Sequence, residues 1–299
     1  MAKALRAEPL ALATVVKARG STPRKAGARQ FRGASGVSGG TVGGGAMEAR
    51  VMDAMRLTLM DGAPRIIEVD LQGEPGELRD GVCGGKMTVW IGRLHPESEF
   101  ELVNEVTMQL KEGRHVILNT HFVVESPISL HVRGGGSNCY TENLVPPPAL
   151  LIVGAGHIGR ALAGVLVKLD FCVAIQDDRK DWLIKEAFPA RCTLEMDLAK
   201  AISRLEQWEG KRFVALVTRG YGQDVQALHL ICRTKSFDYV GILGSKKRLA
   251  TVMQACSEAK ETLGDTLHAP IGIAIGAETP EEIAISIAGE MIRIRRTNP

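Results

Sequence analysis

The stretch LLIVGAGHIGRAL, residues 150–162, constrains the fold more tightly than any other part of the chain. Four apolar residues lead into Gly154, Gly156 and Gly159, and a helix-forming run follows. That is the order of a phosphate-binding strand–turn–helix. The first glycine permits the tight turn, the second lets a pyrophosphate approach the backbone, and the third lets the helix pack on the strand. Free N–H groups and the positive end of the helix complete the anion site. Asp177, in VAIQDDR, follows about 20 residues later near the end of the next strand, where a carboxylate can accept hydrogen bonds from ribose hydroxyls. His157 sits inside the turn and faces either a ligand or solvent. Asp178 and Arg179 read as a surface pair or as ligand contacts.

The pattern around this motif predicts alternating strands and helices from ALLIVGAG onward: FCVAIQDD, a helix near 182–187, RFVALVT, a helix from about Asp224, YVGILG, and a helix from Ser245. Consecutive strands with helical crossovers imply a doubly wound parallel sheet. The motif begins halfway along the chain, so another domain must occupy the first half. Upstream, PLALATVVKA, RIIEVDL and KMTVWIGRL suit strands, residues 46–60 carry apolar residues at helical spacing, and FELVNEVTMQLKEG reads as a helix closed by Gly113. The tract 133–149 combines a glycine cluster with three prolines, a composition that continues neither a helix nor a central strand. The expected fold is therefore α/β: a mixed N-terminal domain over 1–140, a proline-rich linker over 141–148, and a Rossmann-like domain over 149–299.

Composition narrows the function classes. The formal net charge of +3 is too small to argue for nucleic acid, and an aromatic content of 4% weakens base stacking. No run of about 18 apolar residues is present, so no membrane span is expected. The six cysteines are scattered with no CxxC; they read as reduced thiols of a cytoplasmic protein rather than a zinc site or a disulfide framework.

Glycine-rich chemistry recurs in the first half. GVSGGTVGGGAMEAR, with Gly43, Gly44 and Gly45, forms a second glycine loop before a helix, where successive N–H groups can make a nest for phosphate. Arg24, in GSTPRKAG, lies in a loop that could complete it. Glu48 falls in the first turn of that helix, where a carboxylate suits the dipole with or without a ligand. Cys83, in DGVCGGK, stands among glycines with Lys86 close by, a setting that favours thiolate. It is read either as a soft ligand or nucleophile or as a small loop residue. Ser245 is the expected N-cap of the helix in GILGSKKR, where two lysines and Arg248 could reach an anion or simply be solvated.

GSTPRKAGAR, GGTVGGGAMEARV, VCGGKMTVWI, VGAGHIGRALA, DYVGILGSKKR and APIGIAIGAETPEEIAISIAGEMI occur in that order from about residue 12 to 294, and together they resemble the XdhC/CoxI family of maturation factors for molybdenum hydroxylases. The resemblance implies an N-terminal XdhC/CoxI domain and a C-terminal Rossmann domain. It implies binding of molybdenum cofactor, as molybdopterin or its dinucleotide, protection of the cofactor during sulfuration, and delivery to an apo molybdenum hydroxylase of the xanthine dehydrogenase type. A cysteine desulfurase is a further implied partner, a homodimer is left open, and neither nucleic acid nor membrane is expected as a partner. Many members carry a cysteine just before the glutamate of the first glycine loop; here Ala46 stands there, as in the xanthine dehydrogenase branch, which leaves Cys83 as the candidate metal thiolate. Family members often carry a histidine in the loop after the third Rossmann strand; here TRGYGQD has Tyr221 near that place and keeps Asp224, so the resemblance does not by itself imply a metal role for that loop.

The residues themselves specify a binding site more clearly than a catalyst. Phosphate and pyrophosphate suit the glycine loops, and a thiolate suits molybdenum. NAD(P) binding with hydride transfer is the alternative; it would require a proton donor with an orienting partner, and Tyr221, His229 and Lys246 occur in no grouping that specifies a reaction. A nucleotide-sensing regulator is a third reading.

Overall fold

The computed structural model describes residues 1–70, 84–122, 128–130, 139–234 and 237–297. The chain divides into two units, one of residues 1–109 with 116–144, the other of 110–115 with 145–299.

The first unit is mixed α/β. In chain order it contains α1 (Ala2–Leu5), β1 (Leu10–Arg19), β2 (Arg29–Gly33), β3 (Ser38–Gly40), α2 (Gly45–Asp61), β4 (Arg65–Asp70), β5 (Lys86–Leu94), α3 (Pro96–Lys111), β6 (Val116–His121), β7 (Ile128–Leu130) and β8 (Cys139–Leu144). The first five strands form an antiparallel sheet in the order β3-β2-β1-β5-β4. Alternation along β1 divides its side chains between two cores. Ala11, Ala13 and Val15 pack with Met47, Val51 and Met55 of α2, while Leu10 and Leu12 pack with Val103 of α3 and Leu118 of β6. Residues 141–144, expected in the linker, belong to β8, which pairs with β6 and, among the described residues, lies at the edge of a three-stranded sheet. An edge position suits a strand next to prolines, because one side of its backbone needs no ladder partner.

The second unit is a Rossmann fold. It runs β9 (Ala149–Val153), α4 (His157–Lys168), β10 (Cys172–Gln176), β11 (Thr193–Glu195), α5 (Leu198–Glu206), β12 (Arg212–Leu216), α6 (Tyr221–Thr234), β13 (Tyr239–Ile242), α7 (Lys246–Ala255), α8 (Glu258–Leu263), β14 (Leu267–His268) and α9 (Pro280–Thr297). All six strands are parallel, in the order β11-β10-β9-β12-β13-β14. The order reverses between β9 and β12, which puts the expected ligand crevice at the carboxyl ends of those strands. Continuous apolar strands are required because both faces are covered. Leu150 and Ile152 point to α4 and α9, and Leu151 and Val153 to α5, α6 and α7.

Two local expectations change. The helix near 182–187 is two 3-10 turns, Lys180–Trp182 and Lys185–Ala187. Phe188 precedes Pro189, which pushes it into the extended region and stops any helix there. The short strand β11 and the helix α5, capped by the Asp197 carboxylate accepting from Lys200 N–H, were not expected from the sequence. Among the described residues no helix is long and apolar enough to cross a membrane.

Candidate functional site

A cavity of about 470 Å³ opens at the switch point of the Rossmann sheet, lined in part by Gly154, Gly156, His157, Asp178, Arg219 and Thr218. The glycines that build it have separate jobs. Gly154 has φ +118°, and a Cβ there would lie 2.5 Å from the Val217 carbonyl oxygen, so only glycine lets β9 turn this close to β12. A Cβ on Gly159 would strike the Gly154 carbonyl oxygen. Gly156 differs: its Cβ position meets nothing within 4 Å, and it is the N-cap of α4 without a side-chain cap. Its open face is the one a phosphate would approach. His157 is exposed at the first position of α4, edge-on to Trp182 with ring centroids 6.3 Å apart.

Asp177 stands where the sequence places it, but its carboxylate is occupied by the protein. Oδ2 accepts from Ala155 N–H at 2.8 Å and from Arg179 Nη2 at 2.9 Å. Oδ1 accepts from Arg179 N–H at 3.0 Å and from Arg179 Nε at 2.8 Å. Two oxygens offer about four lone-pair directions, and all are used. Burial alone would raise the pKa of Asp177, but the Arg179 side chain and the N–H groups of Ala155 and Arg179 outweigh it and bring the value down to about 2. Arg179 in turn lies over the Trp182 ring, 4.3 Å from its centroid. A ribose hydroxyl would have to displace this guanidinium to reach Asp177.

The carboxyl end of β12 holds a second buried carboxylate. Asp224 is fully buried and receives Thr218 Oγ1 at 2.7 Å, Arg248 Nη2 at 2.6 Å and Arg248 Nε at 3.0 Å. Burial raises its pKa, partly offset by hydrogen bonds from Thr218 and Arg248. Arg248, weighed above as an anion ligand, is thus spent on Asp224. Ser245 caps α7 by accepting from Arg248 N–H at 3.3 Å; the cavity reaches Leu243, two residues short of it. Tyr221 is exposed at the start of α6. Among the described residues no group of three His, Cys, Asp or Glu side chains could hold a metal ion.

In the first unit, three sequence motifs that lie far apart in the chain meet. The antiparallel register of β1 on β5 pairs Arg19 with Lys86, which brings Gly84 and Gly85 beside the loop after β1. A Cβ on Gly20 would lie 3.1 Å from the Gly84 carbonyl oxygen, and one on Gly85 would lie 2.7 Å from Thr22 Cγ2. The same loop reaches the glycines before α2, where a Cβ on Gly43 would lie 3.3 Å from Pro23 Cγ. Arg24 follows and is exposed. The three glycines are not equivalent. The Gly43 N–H is taken by Thr41 Oγ1 at 3.1 Å, whereas Gly44 caps α2 without any side-chain cap and has nothing within 4 Å of its Cβ position. Gly45 has φ +61°. Glu48 is tied to β2, its Oε1 accepting from Gln30 Nε2 at 3.1 Å. Cys83 lies outside the described residues; its neighbour Gly84 is the nearest described point.

Sequence reasoning passed over Arg219, Trp182 and the grip of Arg179 on Asp177. Each depends on how loops fold back at strand ends. The one available signal was the DDR order itself, which sets a guanidinium two residues after the carboxylate.

The comparisons agree with this architecture. The model of the XdhC and CoxI family matches residues 4–70, and that of the XdhC Rossmann domain matches residues 150–291. An uncharacterized protein of Escherichia coli, YqeB, is 28% identical over 97% of the chain, and the chain spans 44% of its length. A probable xanthine dehydrogenase subunit of Bacillus subtilis is 26% identical over 97% of the chain, which spans 94% of it. The crystal structure of a xanthine dehydrogenase from Bacillus halodurans superposes with a TM-score of 0.79 at 24% identity, covering 100% of this chain and 95% of that one, a likeness of fold. With both family domains present in order, each on its own structural unit, the chain belongs to the XdhC and CoxI family.

Proposed function

We propose that this chain binds molybdenum cofactor, protects it, and delivers it to an apo molybdenum hydroxylase of the xanthine dehydrogenase type. The observation that carries this reading is the meeting, in the first unit, of the loop bearing Arg24, the uncapped glycine N-terminus of α2, and the segment that follows Cys83. These supply different chemistry to one ligand. N–H groups at Gly44 and Gly45 with the Arg24 guanidinium suit the phosphate or pyrophosphate end of a molybdopterin or its dinucleotide. A thiolate at Cys83 suits the molybdenum end, which is soft enough to prefer sulfur. The Rossmann turn at Gly154, Gly156, His157 and Gly159 offers a second phosphate cradle, with Asp177 holding the turn in shape and Ser245 farther along the same sheet edge, after β13 and beyond β12.

The same reading gives the chain no turnover of its own. Its partners are the apo-hydroxylase and a cysteine desulfurase that installs the terminal sulfur, both in the cytoplasm, where free thiols persist. The test is activation: a cofactor-free hydroxylase is given molybdenum cofactor with and without the chain. Faster or more complete activation with the chain supports delivery, and equal activation rejects it.

An NAD(P)-dependent oxidoreductase is the second reading, favoured by the open Gly156 cradle. The saturated Asp177 carboxylate weighs against it, because the usual acceptor for ribose hydroxyls is engaged. Tight NAD(P) binding accompanied by turnover would reverse the order of the two.

A further inference from the structure

An ion pair crosses the mouth of the Rossmann cavity. Asp178 follows β10 and Arg219 follows β12, and these strands flank β9, so a contact between the two residues must pass in front of the glycine turn that ends β9. Arg219 Nη2 lies 3.2 Å from Asp178 Oδ2, and Gln223 Nε2 lies 3.3 Å from the same oxygen. All three residues line the cavity. The pair is about half exposed on both sides, at 53% for Arg219 and 54% for Asp178.

We propose that Arg219 is a phosphate-binding residue of this cavity, and that Asp178 occupies its guanidinium until a phosphate-bearing ligand displaces it. Three observations carry this. The floor of the cavity is backbone open to a ligand, with Gly156 bare and α4 uncapped by any side chain, which is the setting an anion fills. The two arginines that line it are not equivalent. Arg179 is held by Asp177 through three donors and stacked on Trp182. Arg219 has only a solvent-exposed pair to give up, and such pairs are worth little. Finally, carboxylate and phosphate present similar oxygen pairs to a guanidinium, so Asp178 stands where a phosphate would.

This goes beyond cofactor delivery. It assigns the side chain that reads the phosphate, and it holds for a pyrophosphate of a nucleotide or a phosphate of a pterin, which share that chemistry. The test is calorimetric binding of ADP, inorganic pyrophosphate and adenosine to the full chain, with Asp178→Asn and Arg219→Gln. Removing the competing charge in Asp178→Asn should tighten ADP and pyrophosphate about two- to fivefold. Arg219→Gln should weaken both about tenfold. Adenosine should respond to neither, and both variants should melt with the parent because the residues are exposed. ADP bound more tightly than pyrophosphate supports the proposal with a nucleotide as occupant; equal affinities support it with phosphate alone as the recognised group. Weaker ADP binding in Asp178→Asn would make Asp178 an acceptor for ligand hydroxyls and overturn the proposal. So would an unchanged Arg219→Gln, or a parent chain that binds neither ADP nor pyrophosphate. Delivery of molybdenum cofactor is measured by hydroxylase activation and stands or falls separately.

Discussion

Replacing Asp177 by Asn tests whether this carboxylate belongs to the protein or to a ligand. In the free chain Asp177 is 5% exposed and its two oxygens take four donors. Its pKa falls from 3.8 to about 2, burial being overcome by the Arg179 side chain and by the N–H groups of Ala155 and Arg179. A shift of this size corresponds to about 2 kcal/mol favouring the folded state. Because the folded pKa is the lower one, that stabilisation is complete above about pH 4 and is lost as pH falls through about 2. Asp177→Asn should therefore lose about 2 kcal/mol at pH 7, where the parent is charged, and the gap should close as the parent protonates. Urea unfolding of both proteins from pH 7 down to pH 2 measures it, since the difference cancels the other titrating groups. If the carboxylate served only a ligand, removing it would leave the free protein unchanged. Equal stability at pH 7, or a gap that persists undiminished into acid, would refute the account of Asp177 as a strut.

Three further outcomes are expected. Gly156→Val should keep the parent's thermal stability, since its Cβ meets nothing within 4 Å, yet lose phosphate-ligand affinity; Gly159→Ala, whose Cβ strikes the Gly154 carbonyl, should cost about 3 kcal/mol in urea unfolding. Arg248→Ala strands the fully buried Asp224 without its cation and should cost about 3 kcal/mol at pH 7 by the same assay. Cys83→Ala should weaken molybdenum cofactor binding without abolishing it and depress hydroxylase activation further. Cys172→Ala, at a half-buried thiol whose pKa burial raises, should alter stability by about 1 kcal/mol and leave both cofactor readouts alone.

The parallel sheet was legible because its signal is local. ALLIV, FCVAI and FVALV are apolar runs of strand length, and a strand covered on both faces can be little else. The helix α5 was also readable in retrospect: Asp197 as cap, then Leu198, Ile202 and Leu205 at helical spacing. Three-residue β11 was not, because Thr193–Glu195 is only partly buried and carries no apolar run. The site divides the same way. The glycine turn announces itself in the chain, but the fate of Asp177 depends on Arg179 folding back over Trp182, a conformation set by the 3-10 turn at Lys180–Trp182. In the first unit each glycine loop was visible alone. Their meeting follows from the pairing of Arg19 with Lys86 and the close approach of Pro23 to Gly43, which no spacing encodes.

Direct binding of molybdenum cofactor to the purified full chain is the measurement closest to the central claim. Equilibrium dialysis against the free cofactor should show saturable binding that is weakened by Cys83→Ala and by Arg24→Gln. No binding, under conditions where an apo-hydroxylase takes up the same cofactor, would contradict it.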